Sequence, residues 1–155
     1  MRVVGTAAAL LLALVVGAAC ASLPLASPEA ARRAQSFEPA PGRARLYVLC
    51  RSSGSEVFPV VVNGRVLGGL SWDTYLMVDL DPGTYAIASH TGESVARLEL
   101  AVQPGGIYFV RVFRRQGVWD LLGVRGTRVG LRRLDEMAGR RAVTDSRLVE
   151  STALH

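Results

Sequence analysis

Between Arg45 and Val124 the apolar residues come in short runs broken by glycine, proline and asparagine, and within most runs they alternate with polar ones. A period of two marks a strand with one buried face. The clearest case is Leu76 to His90. Leu76, Val78 and Leu80 alternate with Met77 and Asp79; beyond Asp81-Pro82-Gly83, Tyr85 and Ile87 face one way and Thr84, Ala86 and Ala88 the other. Pro82 presets φ at one corner and Gly83 accepts a positive φ at the next. The pattern predicts two antiparallel strands, the fourth and fifth, paired across a tight turn.

Similar segments flank this pair. Arg45 to Arg51 and Val57 to Asn63 predict strands one and two, and Asn63-Gly64 has the chemistry of a type I′ hairpin leading into strand three, Arg65 to Leu70. Ser94 to Val102 predicts strand six, with a bulge between Val95 and Leu98. Ile107 to Phe113 is nearly all apolar, so strand seven should be central and covered on both faces. Val118 to Val124 predicts strand eight. Leu131, Leu134 and Met137 recur at three-residue spacing, which predicts one short helix closing an open end. Strands at this spacing, with turn residues between, predict an all-β antiparallel sandwich, immunoglobulin-like or prealbumin-like, of about eight strands over residues 43–137. Residues 138–155 read as a polar, disordered tail.

Ahead of the domain the pattern changes. Arg2 precedes an uncharged apolar run from Val3 to Ala19, shorter than the roughly 20 residues of a spanning helix. Residues 1–19 therefore read as an export signal. Gly17-Ala18-Ala19-Cys20 resembles the lipobox of bacterial lipoproteins, which implies a lipid on the Cys20 thiol, cleavage after Ala19 and acylation of the new amine. Ala21, rather than Asp, follows the cysteine, and resemblance to the sorting rule of Gram-negative lipoproteins then implies the periplasmic face of the outer membrane. The competing reading is ordinary cleavage within Ala19-Cys20-Ala21, which would release a soluble periplasmic protein. Residues 20–42, with Pro24, Pro28, Pro39 and Pro41, read as the lipidated end and a tether. Ser27-Pro28-Glu29 is a helix start for a short stretch over Pro28 to Ser36.

Charge sharpens the picture at one end. All 18 basic residues are arginine. Residues 43–110 hold five arginines against six acids, whereas residues 111–147 hold ten against four. Arg111, Arg114, Arg115, Arg125 and Arg128 are the candidate contacts to an anionic surface: lipid phosphates, an anionic glycan or an envelope protein. Nucleic acid is not among the expected partners.

Arg51 closing strand one, Val60-Val-Val-Asn-Gly-Arg-Val-Leu-Gly68, Tyr75 with Val78-Asp-Leu-Asp-Pro-Gly83, and Gln103-Pro-Gly-Gly-Ile-Tyr-Phe-Val-Arg-Val112 together resemble the bacterial family called domain of unknown function 2846. Its members are mostly small lipoproteins of Gram-negative bacteria. The resemblance covers about residues 43–137 and implies a β fold and an envelope address, with no catalytic residues to carry over. Cys50 stands where an aromatic is expected, and Thr84 where a histidine is.

Candidate chemistry is sparse. Nucleophilic catalysis needs a base beside Ser, Thr or Cys, and the histidines are His90 and the terminal His155. Asp79 and Asp81 share a strand face and could touch a cation, though Asp81 is better placed to cap the turn; Asp135 and Glu136 are adjacent. No cofactor or metal is expected. Cys50 should be a buried small hydrophobe if Cys20 is acylated, and a disulfide partner for Cys20 if it is not. Trp72 is the aromatic most open to solvent, with packing over the sheet end favoured above a role in binding sugar or a partner. These residues predict a non-enzymatic envelope binding or structural module. The alternative is an accessory of a wall hydrolase, built on His90 and a carboxylate.

Overall fold

A computed structural model describes residues 23–51, 54–115, 126 and 128–152. The segment expected to be an export signal, Cys20, Arg125, Trp119, His155 and the expected strand Val118–Val124 lie outside them. Among the described residues no helix is long and apolar enough to cross a membrane.

Strands dominate. In chain order the elements are α1 (Pro28–Gln35), β1 (Ala44–Cys50), β2 (Phe58–Val62), β3 (Arg65–Leu70), β4 (Thr74–Leu80), β5 (Gly83–His90), β6 (Val95–Val102), β7 (Ile107–Arg115), β8 (Arg128–Leu134), α2 (Glu136–Thr144) and β9 (Arg147–Leu148). One sheet runs β8-β7-β1-β4-β9 and the other β3-β2-β5-β6. Leu46, Val48 and Cys50 of the first meet Phe58, Val60, Val62 and Ile87 of the second in one apolar core. Asn63 and Gly64 hold φ of 47° and 80°, the left-handed pair that the β2–β3 hairpin needs.

The Asp81-Pro82-Gly83 turn does something different from what its pattern predicts. It joins no hairpin: β4 belongs to the five-stranded sheet and β5 to the four-stranded one. Both edges of β4 are taken, by β1 along seven residues and by β9, so β5 pairs with β2 and β6 instead. Alternation specifies which face a residue presents, and those faces are as expected. It does not specify a neighbour.

The sheets are not wholly antiparallel, since β1 pairs with β7, and β4 with β9, in parallel. The β5–β6 register runs unbroken from Gly83↔Val102 to His90↔Val95, and the irregularity lies instead at Val60/Val61 opposite Leu67. Leu131 and Leu134 sit on a strand, and Met137 lies in the first turn of the helix, 78% exposed. The expected disordered tail is folded through Thr152: α2 is capped by Asp135, whose carboxylate accepts from the Ala138 N–H at 2.8 Å, and Val143, Leu148 and Val149 are buried.

The tether is not free either. Helix α1 forms where Ser27 predicts, with the Ser27 hydroxyl accepting from the Ala30 N–H. Leu25 bridges Val149, the Ala26 N–H donates to the Leu148 carbonyl at 3.0 Å, and the Glu150 N–H to the Pro24 carbonyl at 2.9 Å. With α2, this segment covers the outer face of the five-stranded sheet over a second apolar core of Tyr47, Leu49, Tyr75, Phe109 and Val143. That is why every residue of β1 is buried; β7, interior to the sheet between β8 and β1 as expected, reaches the first core through Tyr108, Val110 and Val112 and the second through Phe109.

Tyr75 carries a test of this second core. It is wholly buried and its hydroxyl meets no partner among the described residues. Burial, reinforced by Tyr47, pushes the phenol up to about 12. An unfolded phenol ionises near 10. The contribution of neutral Tyr75 is therefore complete below about pH 10 and is lost as the pH rises through the folded value. Tyr75→Phe should raise stability by about 1 kcal/mol at neutral pH, by removing an unsatisfied hydroxyl. It should also blunt alkaline unfolding between about pH 10 and 12, followed by circular dichroism.

Candidate functional site

The arginine-rich ladder β7–β8 is built by alternation. Tyr108, Val110, Val112 and Val129 point into the core between the sheets, which leaves Arg111, Phe113 and Arg115 of β7, with Arg128, Gly130 and Arg132 of β8, on the opposite face. The register sets Arg111 against Arg132 and Arg115 against Arg128. These two strands contain six arginines and no acid. Like charges directly opposite each other are unfavourable in a ladder. Gly130 lies beneath this row: a Cβ there would come within 2.6 Å of the Phe113 ring and 2.9 Å of Arg115. The Arg132 guanidinium stands 5.7 Å from the Phe113 ring centroid.

At the α2 end the row opens into a cleft of about 390 Å³. Arg51, Arg111, Arg132 and Arg141 wall it, Leu49, Leu134 and Ala142 form an apolar floor, and Asp135 is the carboxylate at its edge. Arg51 is partly engaged, 3.7 Å from Asp73 and 3.5 Å from Asp145. Arg111 is half-buried, and its Nε finds no hydrogen-bond partner among the described residues. Burial pushes its pKa down, and Arg132 and Arg51 push the same way. An anion placed here would meet Arg111, Arg132 and Arg141, which make no ion pair among the described residues, over a greasy floor. Such an arrangement suits a phosphate or carboxylate carried by a partly apolar molecule.

Of the sequence-predicted contacts, Arg111 lies in the cleft. Arg115 and Arg128 extend the same face, while Arg114, opposite Val129, has the parity of the inner face at the sheet end. Arg51, Arg132 and Arg141 were missed. Reading Arg128, Gly130, Arg132 and Leu134 as one strand face would have found Arg132. Arg51 and Arg141 come from β1's end and from α2, and no local pattern links them.

The other candidates take structural roles. Asp79 binds Arg45 through two contacts of 2.6 and 2.8 Å, and Asp81 faces Arg43 at 3.1 Å. Glu136 pairs with Arg140 at 2.7 Å along α2. His90 ends β5, exposed, on the sheet that does not carry the arginine row. Cys50 is wholly within the inter-sheet core. No group of three or more metal-ligating side chains occurs among the described residues. Trp72 is not packed over the sheet end as favoured; it is 57% exposed. Compared with protein-family models and with curated proteins, the chain matches none.

Proposed function

We propose that this protein is a non-catalytic module of the bacterial envelope. It is anchored to the outer membrane by a lipid on Cys20, and it binds a phosphate- or carboxylate-bearing ligand in the arginine cleft. The observation that carries the binding role is the pairing of Arg111 with Arg132 across the ladder, with four arginines and one carboxylate around an apolar floor. A fold that sets like charges side by side gains from a ligand that neutralises them. The same reading takes the two sheets as a sandwich of immunoglobulin-like or prealbumin-like type and keeps the resemblance to domain of unknown function 2846. The depth of Cys50 in the core supports the lipid over a Cys20–Cys50 disulfide, since bridging would pull Cys50 from its packing.

Two probes separate the sources of the anion: inorganic phosphate in calorimetry, and vesicles containing phosphatidylglycerol in a flotation assay. Replacing Arg111 and Arg132 together by glutamine should weaken whichever interaction occurs at least tenfold, about 1.4 kcal/mol. The same change should leave the ligand-free protein at least as stable, because a repulsive pair disappears. Equal binding by wild type and the double variant would refute the cleft. Binding of neither probe by wild type would remove phosphate as its ligand.

A further inference from the structure

Six large hydrophobic side chains stand exposed among the described residues, and three of them, Leu25, Val57 and Trp72, line one groove of about 650 Å³. Leu23 and Arg147 complete its rim. Trp72 is held outward by its turn. The Thr74 hydroxyl accepts from the Ser71 N–H at 2.9 Å and donates to the Ser71 carbonyl at 2.8 Å. Asp73 adopts φ 51°, in the left-handed region, which costs a non-glycine residue about 1 kcal/mol or more. The chain accepts that strain in a turn whose tip is an exposed indole.

Where the chain enters this groove decides what covers it. Leu23 follows Cys20 by three residues, and three peptide links reach at most about 11 Å. The docking of Pro24, Leu25 and Ala26 against Leu148, Val149 and Glu150 leaves no slack beyond that. A diacylglyceryl group on Cys20 would therefore enter a bilayer within that reach of the groove.

We propose that this groove is the surface on which the domain rests against the bilayer, with Trp72 at headgroup level, Leu25 and Val57 toward the acyl chains, and Arg147 toward lipid phosphate. The assignment rests on the lipid-anchor reading above. Indole prefers the membrane–water boundary because one part is apolar and its N–H stays hydrated. An acyl anchor combined with a second, protein-borne contact fixes orientation as well as attachment. Arg51, paired with Asp73 next to Trp72, carries the arginine cleft to the same end of the molecule, within reach of the headgroups.

The test uses the full mature protein, wild type and Trp72→Phe, reconstituted into vesicles of phosphatidylethanolamine and phosphatidylglycerol with brominated acyl chains. Tryptophan emission is compared with that in unbrominated vesicles, and mass spectrometry of the N-terminal peptide reports the lipid. Trp72 is exposed, so its replacement leaves the core intact. The expected result is a bromine-dependent loss of emission in wild type that Trp72→Phe lacks. Equal quenching in both proteins, with lipid on Cys20, overturns the docking surface and leaves the anchor standing; a sugar or protein partner would then be sought for the groove. An unmodified Cys20 peptide overturns the anchor. In that protein, Trp72-dependent quenching would still support the surface, and its absence would remove both.

Discussion

Asp79→Ala is expected to destabilise the domain by about 3–5 kcal/mol, the cost of leaving a buried guanidinium without its counter-charge. Arg45 is 7% exposed. Its Nε and Nη2 donate to the two Asp79 oxygens, and its Nη1 donates to the Arg33 carbonyl at 3.3 Å. Asp79 also accepts from the Ala40 N–H. One carboxylate thus ties β1 to β4 and to the segment after α1. Arg45→Met combined with Asp79→Leu should recover most of the loss, because neither charge then remains buried alone. Urea unfolding of the three proteins measures this. A loss below about 1 kcal/mol in Asp79→Ala would place the pair among ordinary solvated ones. The pair also sets an acid limit. Burial pushes the Asp79 carboxyl up, but the hydrogen bond and charge of Arg45, with Ala40 and Arg43, outweigh it and hold the pKa below the usual value. The stabilisation is complete above the unfolded carboxyl's pKa, about 3.9. It is lost as the pH falls through the lower folded value.

Gly139→Ala is expected to cost about 2 kcal/mol, although alanine is the better helix former. Mid-helix, alanine is favoured by about 1 kcal/mol. Here its Cβ would collide with Cγ of Phe109, the root of the ring. Phe109 is 1% exposed and stacked on Tyr47 with centroids 5.1 Å apart, so it has nowhere to retreat. Overpacking costs about 1–3 kcal/mol, and a contact with the root of a buried ring belongs at the upper end. The clash wins, and α2 must lift. Hydrogen exchange should show faster opening of the α2 amides, and affinity for the anion proposed above should fall because Arg141 moves with the helix. Gly92→Ala, with open space around its Cβ, is the control and should change stability by less than about 0.5 kcal/mol.

Much of this fold could be read from residue patterns, and the parts that could not share one cause. Asn63-Gly64 dictates its own hairpin, because the φ values it needs are local. Ser27 announces α1 for the same reason. The faces of β4 and β5 follow from their alternation. Their partners depend on which sheet edge is free, and that is settled by β1, β9 and β2 far along the chain. Leu131 and Leu134 fit a helical spacing and a strand edge equally well, and only the pairing with β7 decides. The short polar stretch after Gly139 reads as tail until Val143 and Leu148 find the second core. The cleft follows the same rule. Arg111 was visible in a basic stretch, whereas its companions Arg51 and Arg141 are neighbours only after three distant segments meet.

The clasp between Leu25 and Val149 gives the molecule a seam near its edge. A nick or deletion after Thr144 would strip β9 from β4, and with it the ladder that seats Pro24 and Ala26. The entering strand would then swing loose, carrying whatever hangs from Cys20. Trimming one side of that seam unfastens the other, so a fusion spliced on beyond Glu150 would be felt first at the opposite terminus.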